Sequence, residues 1–485
     1  MADELMPLSG GRRAHFGGWA ATLVDSLDTL WILGMKNEFW EAVEAVMTID
    51  FSTPADDDAT TISLFETTIR YLGGLLAAYD LSGDVRLMYK ATELGDTLYG
   101  AFDTPNRMPV THWNMLLAAS GHKQIADSKA ILAEVSSLTL EFTRLSQLTG
   151  NQKYYDAVCR ITNVLARQQR LTAVPGMVPF TVRPKRLDFH SGSEYSVGAM
   201  ADSFYEYLVK MGALLHGSRK YENMYTMAVD AIIDHALFRP MVPNEEDILM
   251  AGKVRAFTKL DAVVRPDVEH MGCFAGGMLA LGGRLLGNAT HLEIGRRLTD
   301  GCIWAYEHTQ LGIMPEDFTM VACANRSSCS WNETLWRQAV KERSLTIPGL
   351  FTGPTNHNAV TDELRLPMGV TSISNKRYVL RPEAIESVFV LYRITGDSAL
   401  QDSAWRMFQS IQNATQTQFA NAALADVTDP AAPKMDEMES FWLGETLKYF
   451  YLIFSEPGLI SLDEYVLNTE AHPFRIPQRG FWGWT

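Results

Sequence analysis

Carboxylates placed beside an arginine or a proline are the residues of this chain whose types and spacing could do chemistry. Glu66 and Arg70 are four residues apart in an apolar stretch, so they share a helix face and could form a buried ion pair. Glu383 follows Pro382, a residue suited to the first helical position, and the dipole of that first turn favours an ionised carboxylate. Glu386 lies about one turn further along. The alternatives are a surface ion pair and a simple helix-start carboxylate, whereas a carboxylate held in its charged form could act as a base.

Five further residues are candidates for a site, although each also has a plain structural explanation. Asp202 lies early in an aromatic-rich helical stretch, where it could equally be a cap, and Glu316 follows a proline in a stretch that could be a plain loop. Phe441 and Glu445 are four residues apart, which would put a ring and a hydroxyl acceptor on one face, although core packing is the commoner cause of such a ring. His270 stands alone, and a lone histidine is more often structural than catalytic.

The stretch from Asn468 to Pro473 is unusual so near a C-terminus, because its oxygens could bind a hard cation such as calcium, although it could equally form a turn.

Paired carboxyls are what glycoside hydrolysis needs: one acid for the leaving oxygen and one carboxylate for water or covalent attack. No Ser-His-Asp spacing, phosphate loop or zinc signature competes. These residues alone support a helical toroid with several candidate carboxylates.

Helical periodicity, with regularly spaced signals for helix ends, predicts the elements that would position these residues. Helical patterns end on a glycine followed by a capping residue at Gly83, Gly150, Gly217 and Gly287, at intervals of 67, 67 and 70 residues. Each interval holds two helices, and the chain holds about seven such units. Seven helical hairpins closing on themselves would make an all-α (α/α)7 barrel, with an open solenoid as the alternative. No linker divides the chain, so we predict one domain over residues 1–485.

The composition favours an enzyme acting on a neutral substrate such as a sugar. Apolar residues make up 47% of the chain, enough for a large core, and the net charge of −15 argues against nucleic acid or an anionic membrane as the partner. No apolar run reaches the length of a membrane span, and no signal peptide is recognisable. We therefore expect no membrane insertion by this segment, and a signal or anchor absent from this chain.

Cysteine and sequon patterns favour an oxidising compartment. Five cysteines leave at least one unpaired, and Cys323 and Cys329 are close enough to close a loop. Four N-glycosylation sequons are present, at Asn288, Asn325, Asn332 and Asn413.

Read as strings, several long stretches resemble glycoside hydrolase family 47, the class I α-1,2-mannosidases. The matching stretches span nearly the whole chain in the family's order: 21–31, 65–75, 201–207, 380–383, 438–440 and 468–473. The resemblance implies an (α/α)7 barrel with a C-terminal β-hairpin that plugs one end and binds calcium at its tip.

Site residues follow from the resemblance position by position. Glu66 matches the acid, acting through a water, while Asp202 and Glu316 match carboxylates also considered for that role. Glu383 matches the base, and Thr469 matches the calcium ligand. The residues that match the lining of the mannose subsite are Arg70, Glu134, His270, Arg381, Glu386, Phe441, Glu445 and Glu470. The resemblance also implies a disulfide between Cys273 and Cys302, whereas a Cys323–Cys329 bridge is our own inference.

The implied function is a calcium-dependent, inverting exo-α-1,2-mannosidase that trims high-mannose N-glycans, expected as a monomer in the Golgi lumen or secreted. At Met200, family members that remove a single mannose resemble one another in having arginine, so the uncharged residue favours the Golgi or fungal secreted type. The N-terminal stretch is shorter than is usual in the family, so the first barrel helix is expected to be truncated. A lectin-like relative acting in glycoprotein degradation, and a helical scaffold without a ligand, are the competing hypotheses.

Overall fold

The structure, a computed structural model, describes residues 2–54, 61–344, 361 and 363–478. Seven helical segments form an inner ring. In chain order they are Ala21–Asp25 with Leu27–Ile32; Leu64–Glu66, Thr67–Leu72 and Gly73–Ser82; Leu132–Ser136 with Thr139–Thr149; Asp202–Leu214; Phe274–Leu286; Glu383–Thr395; and Trp442–Thr446 with Leu447–Ile453. Each packs on the next, and Leu27–Ile32 contacts Trp442–Thr446, so the ring closes and the open solenoid is wrong.

Amphipathic outer helices cover this ring. Within the described ranges they are Lys36–Val46, Val85–Tyr99, Gln152–Gln168, Arg219–His235, Ala289–Glu307 and Ala399–Thr415. Each turns one apolar face inward, as a surface helix of a layered fold must. The fold is therefore the expected (α/α)7 barrel, with six described outer helices for seven inner ones.

Close helix packing depends on small residues at the contacts. A Cβ on Gly276 would lie 2.4 Å from Thr299 Oγ1, and a Cβ on Gly74 would lie 2.6 Å from the Val24 carbonyl oxygen. Such distances exclude any side chain without backbone movement. The inner helices therefore approach one another and the outer layer more closely than larger residues would allow.

Short strands join the helices at the barrel ends. The paired strands are Glu4–Leu5 with Arg12–Arg13; Ile62–Ser63 with His112–Trp113; Ala130–Ile131 with Thr181–Val182; Glu194–Tyr195 with Lys253–Arg255 and Val263–Arg265; Leu237–Phe238 with Met250–Ala251; Asp267–Glu269 with Asp317–Met320 and Val370–Asn375; and Tyr465–Leu467 with Pro473–Arg475. Other helices with described bounds are Gly100–Phe102, Met115–Ala119, Pro184–Arg186, His270–Cys273 and Glu333–Ser344. All strand pairs are antiparallel.

The last strand pair is the expected C-terminal hairpin, and it enters one end of the barrel. Val466 lies opposite Phe474, and the strands contact Asp202–Leu214 and Gly73–Ser82. Within the tip, from Asn468 to His472, every residue except the half-buried Thr469 is buried. Gly73 makes room for it, because a Cβ there would come within 2.7 Å of the Asn468 amide nitrogen.

Two inner helices differ from the regular helices that the sequence predicts. Thr67–Leu72 and Trp442–Thr446 are π-helical insertions, a geometry that is rare and is often found at functional sites. A third inner segment is interrupted between Leu132–Ser136 and Thr139–Thr149, at Ser137, where ψ reaches 48°. The glycine punctuation is confirmed at Gly83, Gly150 and Gly287, which take the left-handed conformation at helix ends.

Both expected disulfides are present, joining Cys273 to Cys302 and Cys323 to Cys329. Cys159 is outside both bridges. No helix in the described part of the chain is both long enough and apolar enough to span a membrane.

Candidate functional site

A cavity of about 320 Å³ opens inside the ring, and the hairpin tip contributes to its lining. Eleven of the thirteen predicted site residues line it: Glu66, Arg70, Glu134, Asp202, Arg381, Glu383, Glu386, Phe441, Glu445, Thr469 and Glu470. The volume is near the lower end of ligand sites, which suits one sugar ring more than a long oligosaccharide. Because the carboxylates converge on one concave space, the structure contradicts the scaffold hypothesis.

His270 is fully buried behind Glu383 and does not belong to the lining. Its Nδ1 lies 2.9 Å from Glu383 Oε2, and its Nε2 lies 2.9 Å from the Tyr306 hydroxyl. A neutral imidazole protonated at Nδ1 satisfies both contacts, donating to Glu383 and accepting from Tyr306. The resemblance placed His270 in the mannose subsite, and the structure places it one layer behind, where it orients Glu383.

Glu316 is also one layer behind the cavity. Its carboxylate forms an ion pair with the Arg381 Nε and accepts a hydrogen bond of 3.2 Å from the Val379 amide. Arg381 also approaches Glu383, at 3.5 Å from Nη1 to Oε1. Glu316 is thus paired with the arginine that neighbours the predicted base.

These contacts set the charge of Glu383. Burial alone would raise the pKa of this carboxyl, but the hydrogen bond from His270 and the charge of Arg381 outweigh it and hold the pKa below its ordinary value. Glu383 is the first residue of helix Glu383–Thr395, as Pro382 predicted. An ionised carboxylate in a closed site is what a general base requires.

Most other carboxyls of the cavity have the opposite shift. Burial raises the pKa of Asp202 to about 7 and that of Glu386 to about 8. Burial, with the neighbouring carboxylates, also raises the pKa values of Glu445 and Glu470 well above the ordinary range. Carboxyls with pKa values pushed apart can divide acid and base roles between them.

Arg70 connects the cavity wall to the hairpin tip. Its guanidinium forms ion pairs of 2.8 Å with both Glu66 and Glu470 and donates a 3.0 Å hydrogen bond to the Ser440 hydroxyl. The π-helical turn Thr67–Leu72 carries Arg70, so an extra backbone residue at this point sets where the guanidinium emerges. The second π-helical turn carries Glu445 in the same way.

Lys210 lies beneath the cavity, between it and a second cavity of about 410 Å³ that the hairpin strands help to line. Its buried ammonium contacts Glu206, lies 3.4 Å from Glu386 and donates to the Asn468 carbonyl oxygen at 3.5 Å. One cation therefore joins two cavity carboxyls to the hairpin tip.

A second buried network holds the hairpin tip from the other side. His472 lies between Asp25 and Asp28, at 3.0 Å from each, and Lys448 pairs with Asp28 at 2.8 Å. Burial would lower the pKa of His472, but the two aspartates raise it to about 9, so the imidazole is charged at neutral pH.

Asn468 completes the tip. Its side-chain oxygen accepts from the amides of Glu470 and His472 at 2.9 and 2.8 Å, which closes the turn. Sequence reasoning missed Lys210, Asp25, Asp28 and Glu206. Charged residues inside otherwise apolar helices were the available signal, because a buried charge needs a partner.

The donor set of the cavity fits a hard cation. Eight carboxyl groups and two guanidinium groups line the cavity. The acidic side chains therefore offer only oxygen atoms as metal ligands, which is what a hard cation prefers. The Thr469 amide donates to the Tyr207 hydroxyl at 3.2 Å, whereas the hydroxyl and carbonyl oxygens of Thr469 accept no hydrogen bond from the described residues. Thr469 thus has two oxygens available beside an excess of carboxyl groups over guanidinium groups.

Comparison with known proteins identifies a family that matches nearly the whole chain. The profile of glycosyl hydrolase family 47 matches residues 1–476. The human endoplasmic reticulum mannosyl-oligosaccharide 1,2-alpha-mannosidase is 34% identical over 98% of this chain and 61% of its own length. The mannosyl-oligosaccharide alpha-1,2-mannosidase IA of Spodoptera frugiperda is 33% identical over 98% of this chain and 63% of its own length. The chain thus spans a little over three fifths of these relatives.

Among solved structures, an alpha-1,2-mannosidase from Trichoderma reesei superposes with a TM-score of 0.84 at 30% identity. That match covers 98% of this chain and 94% of the fungal chain. A relative of nearly the same extent therefore has the same barrel.

Proposed function

The chain belongs to glycosyl hydrolase family 47, and on that premise we propose that it is an inverting exo-α-1,2-mannosidase that releases terminal mannose from high-mannose N-glycans. The observation that carries the proposal is the set of carboxyls converging on a cavity sized for one sugar ring, with Glu383 ionised and others protonated near neutral pH. Hydrolysis by inversion needs that division between base and acid.

Glu383 is the proposed base. Its carboxylate removes a proton from the attacking water while the water oxygen bonds to the anomeric carbon and the glycosidic bond breaks. His270 fixes one carboxylate oxygen and Arg381 approaches the other, so the group is held in one orientation. A Glu383→Gln variant keeps the shape of the site and is expected to bind glycan without turnover.

Two carboxyls are candidates for the acid, and different observations favour each. The Glu66 side chain is 31% exposed. This exposure leaves room for a water that would carry the proton from Glu66 to the leaving oxygen, on the side where the rest of the glycan extends. Burial raises the pKa of Asp202 to about 7, so about half of the Asp202 carboxyls hold a proton at neutral pH. An aryl mannoside with a dinitrophenolate leaving group needs no acid, so the variant of the true acid should be rescued on that substrate while the other should not.

Calcium is the proposed cofactor, bound at Thr469. The hydroxyl and carbonyl oxygens of Thr469 would hold the ion, with the cavity carboxyls supplying negative charge around it. Bound calcium would supply a fixed positive charge to which vicinal sugar hydroxyls can be held. Phe441, which lines the cavity, would pack against one face of the sugar ring. The ion pair of Arg70 with Glu470 would hold in place the hairpin tip that carries Thr469.

Met200 is the proposed specificity position. It lines the cavity, is 46% exposed and has a φ of 75°, so its uncharged side chain stands at the mouth. We infer removal of several mannoses, as in the Golgi or fungal secreted type, and a location in the secretory lumen or outside the cell. Digestion of a nine-mannose glycan that stopped after one mannose would contradict this inference.

The deciding experiment is mannose release from a nine-mannose N-glycan, with and without a calcium chelator. Release that stops on chelation and returns with added calcium is the expected result. Glycan binding without release, even with calcium, would instead support the lectin-like alternative.

A further inference from the structure

A second candidate metal site lies outside the carboxylates of the cavity. Glu4, His15 and Glu439 each direct a ligand atom to one place, and these atoms all lie within 4.8 Å of one another. The three residues come from three segments: the first strand, the turn into the first inner helix, and the stretch before the last inner helix. Within the described ranges, this group is the one found with that spacing.

The distance between Glu4 and His15 is one that two ligands of one metal would have. Nε2 of His15 lies 3.3 Å from Oε1 of Glu4, yet that oxygen accepts no hydrogen bond from any described residue. Two ligands at about 2.0–2.2 Å on a tetrahedral ion are separated by about 3.4 Å. The 3.3 Å distance fits that arrangement as well as it fits an ion pair of the two side chains.

Burial makes the unpartnered oxygen significant. Glu4 is only 5% exposed, so its carboxylate has lost nearly all its water. An ionised carboxylate in that position needs a cation or a set of donors. Without a metal, a charged His15 is the cation nearest to Glu4 in the described chain, because the neighbouring arginines are engaged elsewhere, Arg13 with Glu437 and Arg70 with Glu66 and Glu470.

The segments that carry the ligands are held in place independently of any ion. The Asp3 carboxylate accepts from the amides of Phe16 and Gly18 at 2.8 and 2.9 Å. Asp436 accepts from the Leu8 amide at 2.7 Å, which ties the N-terminal strands to the stretch before Glu439. The ligands are therefore pre-positioned, which lowers the ordering cost of binding.

We propose that Glu4, His15 and Glu439 form a binding site for a borderline divalent transition ion such as Zn²⁺, separate from the calcium site at Thr469. A nitrogen donor with two carboxylates suits zinc, whereas calcium and magnesium prefer oxygen ligands alone. His15 is 38% exposed, which leaves an entry path and a fourth position for water. The bound ion would link the N-terminal strands to the segment just before the last inner helix of the barrel.

The test uses the full chain, stripped of metal and then held in millimolar calcium so that oxygen-only sites are filled. Titration with Zn²⁺ by calorimetry should show one equivalent bound in the micromolar range or tighter, with a rise in melting temperature. A His15→Ala variant should weaken this binding by more than the about 10–100-fold lost with an outer-shell partner. Substitution by Co²⁺ should give a visible absorption band that His15→Ala loses.

The matched control is His190→Ala. His190 is also 38% exposed and also lies beside a carboxylate, Asp188, at 3.2 Å, but no third ligand completes a group there. Zinc binding should be unchanged in this variant. No saturable binding by the unmodified chain, or unchanged affinity in His15→Ala, would overturn the proposal. Neither result depends on mannose release, so the proposed hydrolase activity is tested separately.

Discussion

Removing the hydrogen bond from His270 to Glu383 should move the acid limb of the pH–rate profile to higher pH. A base works only when ionised, so kcat/KM falls as the pH drops through the pKa of Glu383. In the structure that pKa lies below its ordinary value because the His270 and Arg381 contacts outweigh burial. A His270→Leu variant removes one of these contacts and leaves the burial unchanged, so the pKa rises.

The size of the shift follows from the contact that is lost. Nδ1 donates to a charged oxygen at 2.9 Å, and hydrogen bonds to charged groups contribute about 1.5–3 kcal/mol. At about 1.36 kcal/mol per pKa unit, the acid limb should move up by about 1–2 units. Arg381 remains 3.5 Å from the other carboxylate oxygen, so the group should still ionise at neutral pH.

The assay is kcat/KM for mannose release from about pH 4 to about pH 8, with calcium saturating throughout. A Tyr306→Phe variant is the control, because it removes the 2.9 Å contact on the far side of the imidazole and leaves Glu383 its donor. The acid limb of the Tyr306→Phe profile should move less than that of His270→Leu. The acid limb of His270→Gln, which keeps a hydrogen-bond donor at this position, should lie between those of His270→Leu and the unmodified chain. An acid limb that stays in place in His270→Leu, or moves to lower pH, would refute the account of Glu383.

Three further predictions concern the supports of the hairpin tip. Lys210→Met leaves Glu206 and Glu386 without their buried cation, so unfolding free energy from urea titration should fall by about 3–5 kcal/mol; Lys153→Met, which breaks an exposed pair with Asp96, should cost at most about 1 kcal/mol. The folded-state pKa of His472 is raised to about 9, so the charged imidazole stabilises the fold fully below the unfolded pKa of about 6.5, and this stabilisation is lost as pH rises toward 9. A His472→Gln variant should therefore show a smaller fall in melting temperature between these two pH values. A fall as steep as in the unmodified chain would count against the charged imidazole. Thr469→Ala should raise the calcium concentration needed to stabilise the fold against heat, and an unchanged calcium midpoint would place the ion elsewhere.

The barrel could be predicted from the sequence because its signals are local. The glycines at 83, 150 and 287 end helices as expected, since a left-handed residue is needed there and glycine takes it without strain. The two π-helical turns could not be predicted, because one inserted residue leaves the apolar pattern of each helix almost unchanged. The position of Arg70 within the cavity therefore had to come from the structure.

Predictions for the site were weaker for a different physical reason. Pro382 correctly predicted that Glu383 begins a helix, and the helix dipole suggested an ionised carboxylate. In the structure, the main groups that lower its pKa against burial are His270 and Arg381, and His270 lies 113 residues away in sequence. The resemblance to a family identified both residues, but only the folded chain shows that His270 acts from behind the cavity.

The hairpin tip shows why these distant charges belong to one arrangement. Asp25 and Asp28 on the first inner helix hold His472, which is more than 440 residues further along the chain. Since Arg70 contacts both Glu66 and Glu470, the hairpin tip and the cavity wall share one guanidinium group. Closing the ring of helices therefore also assembles the site, because the first helix positions the last segment of the chain. A change that loosened Asp25 would be expected to reach Thr469 by two routes, through His472 and through Arg70, whose Nη1 lies 3.7 Å from Asp25 Oδ2.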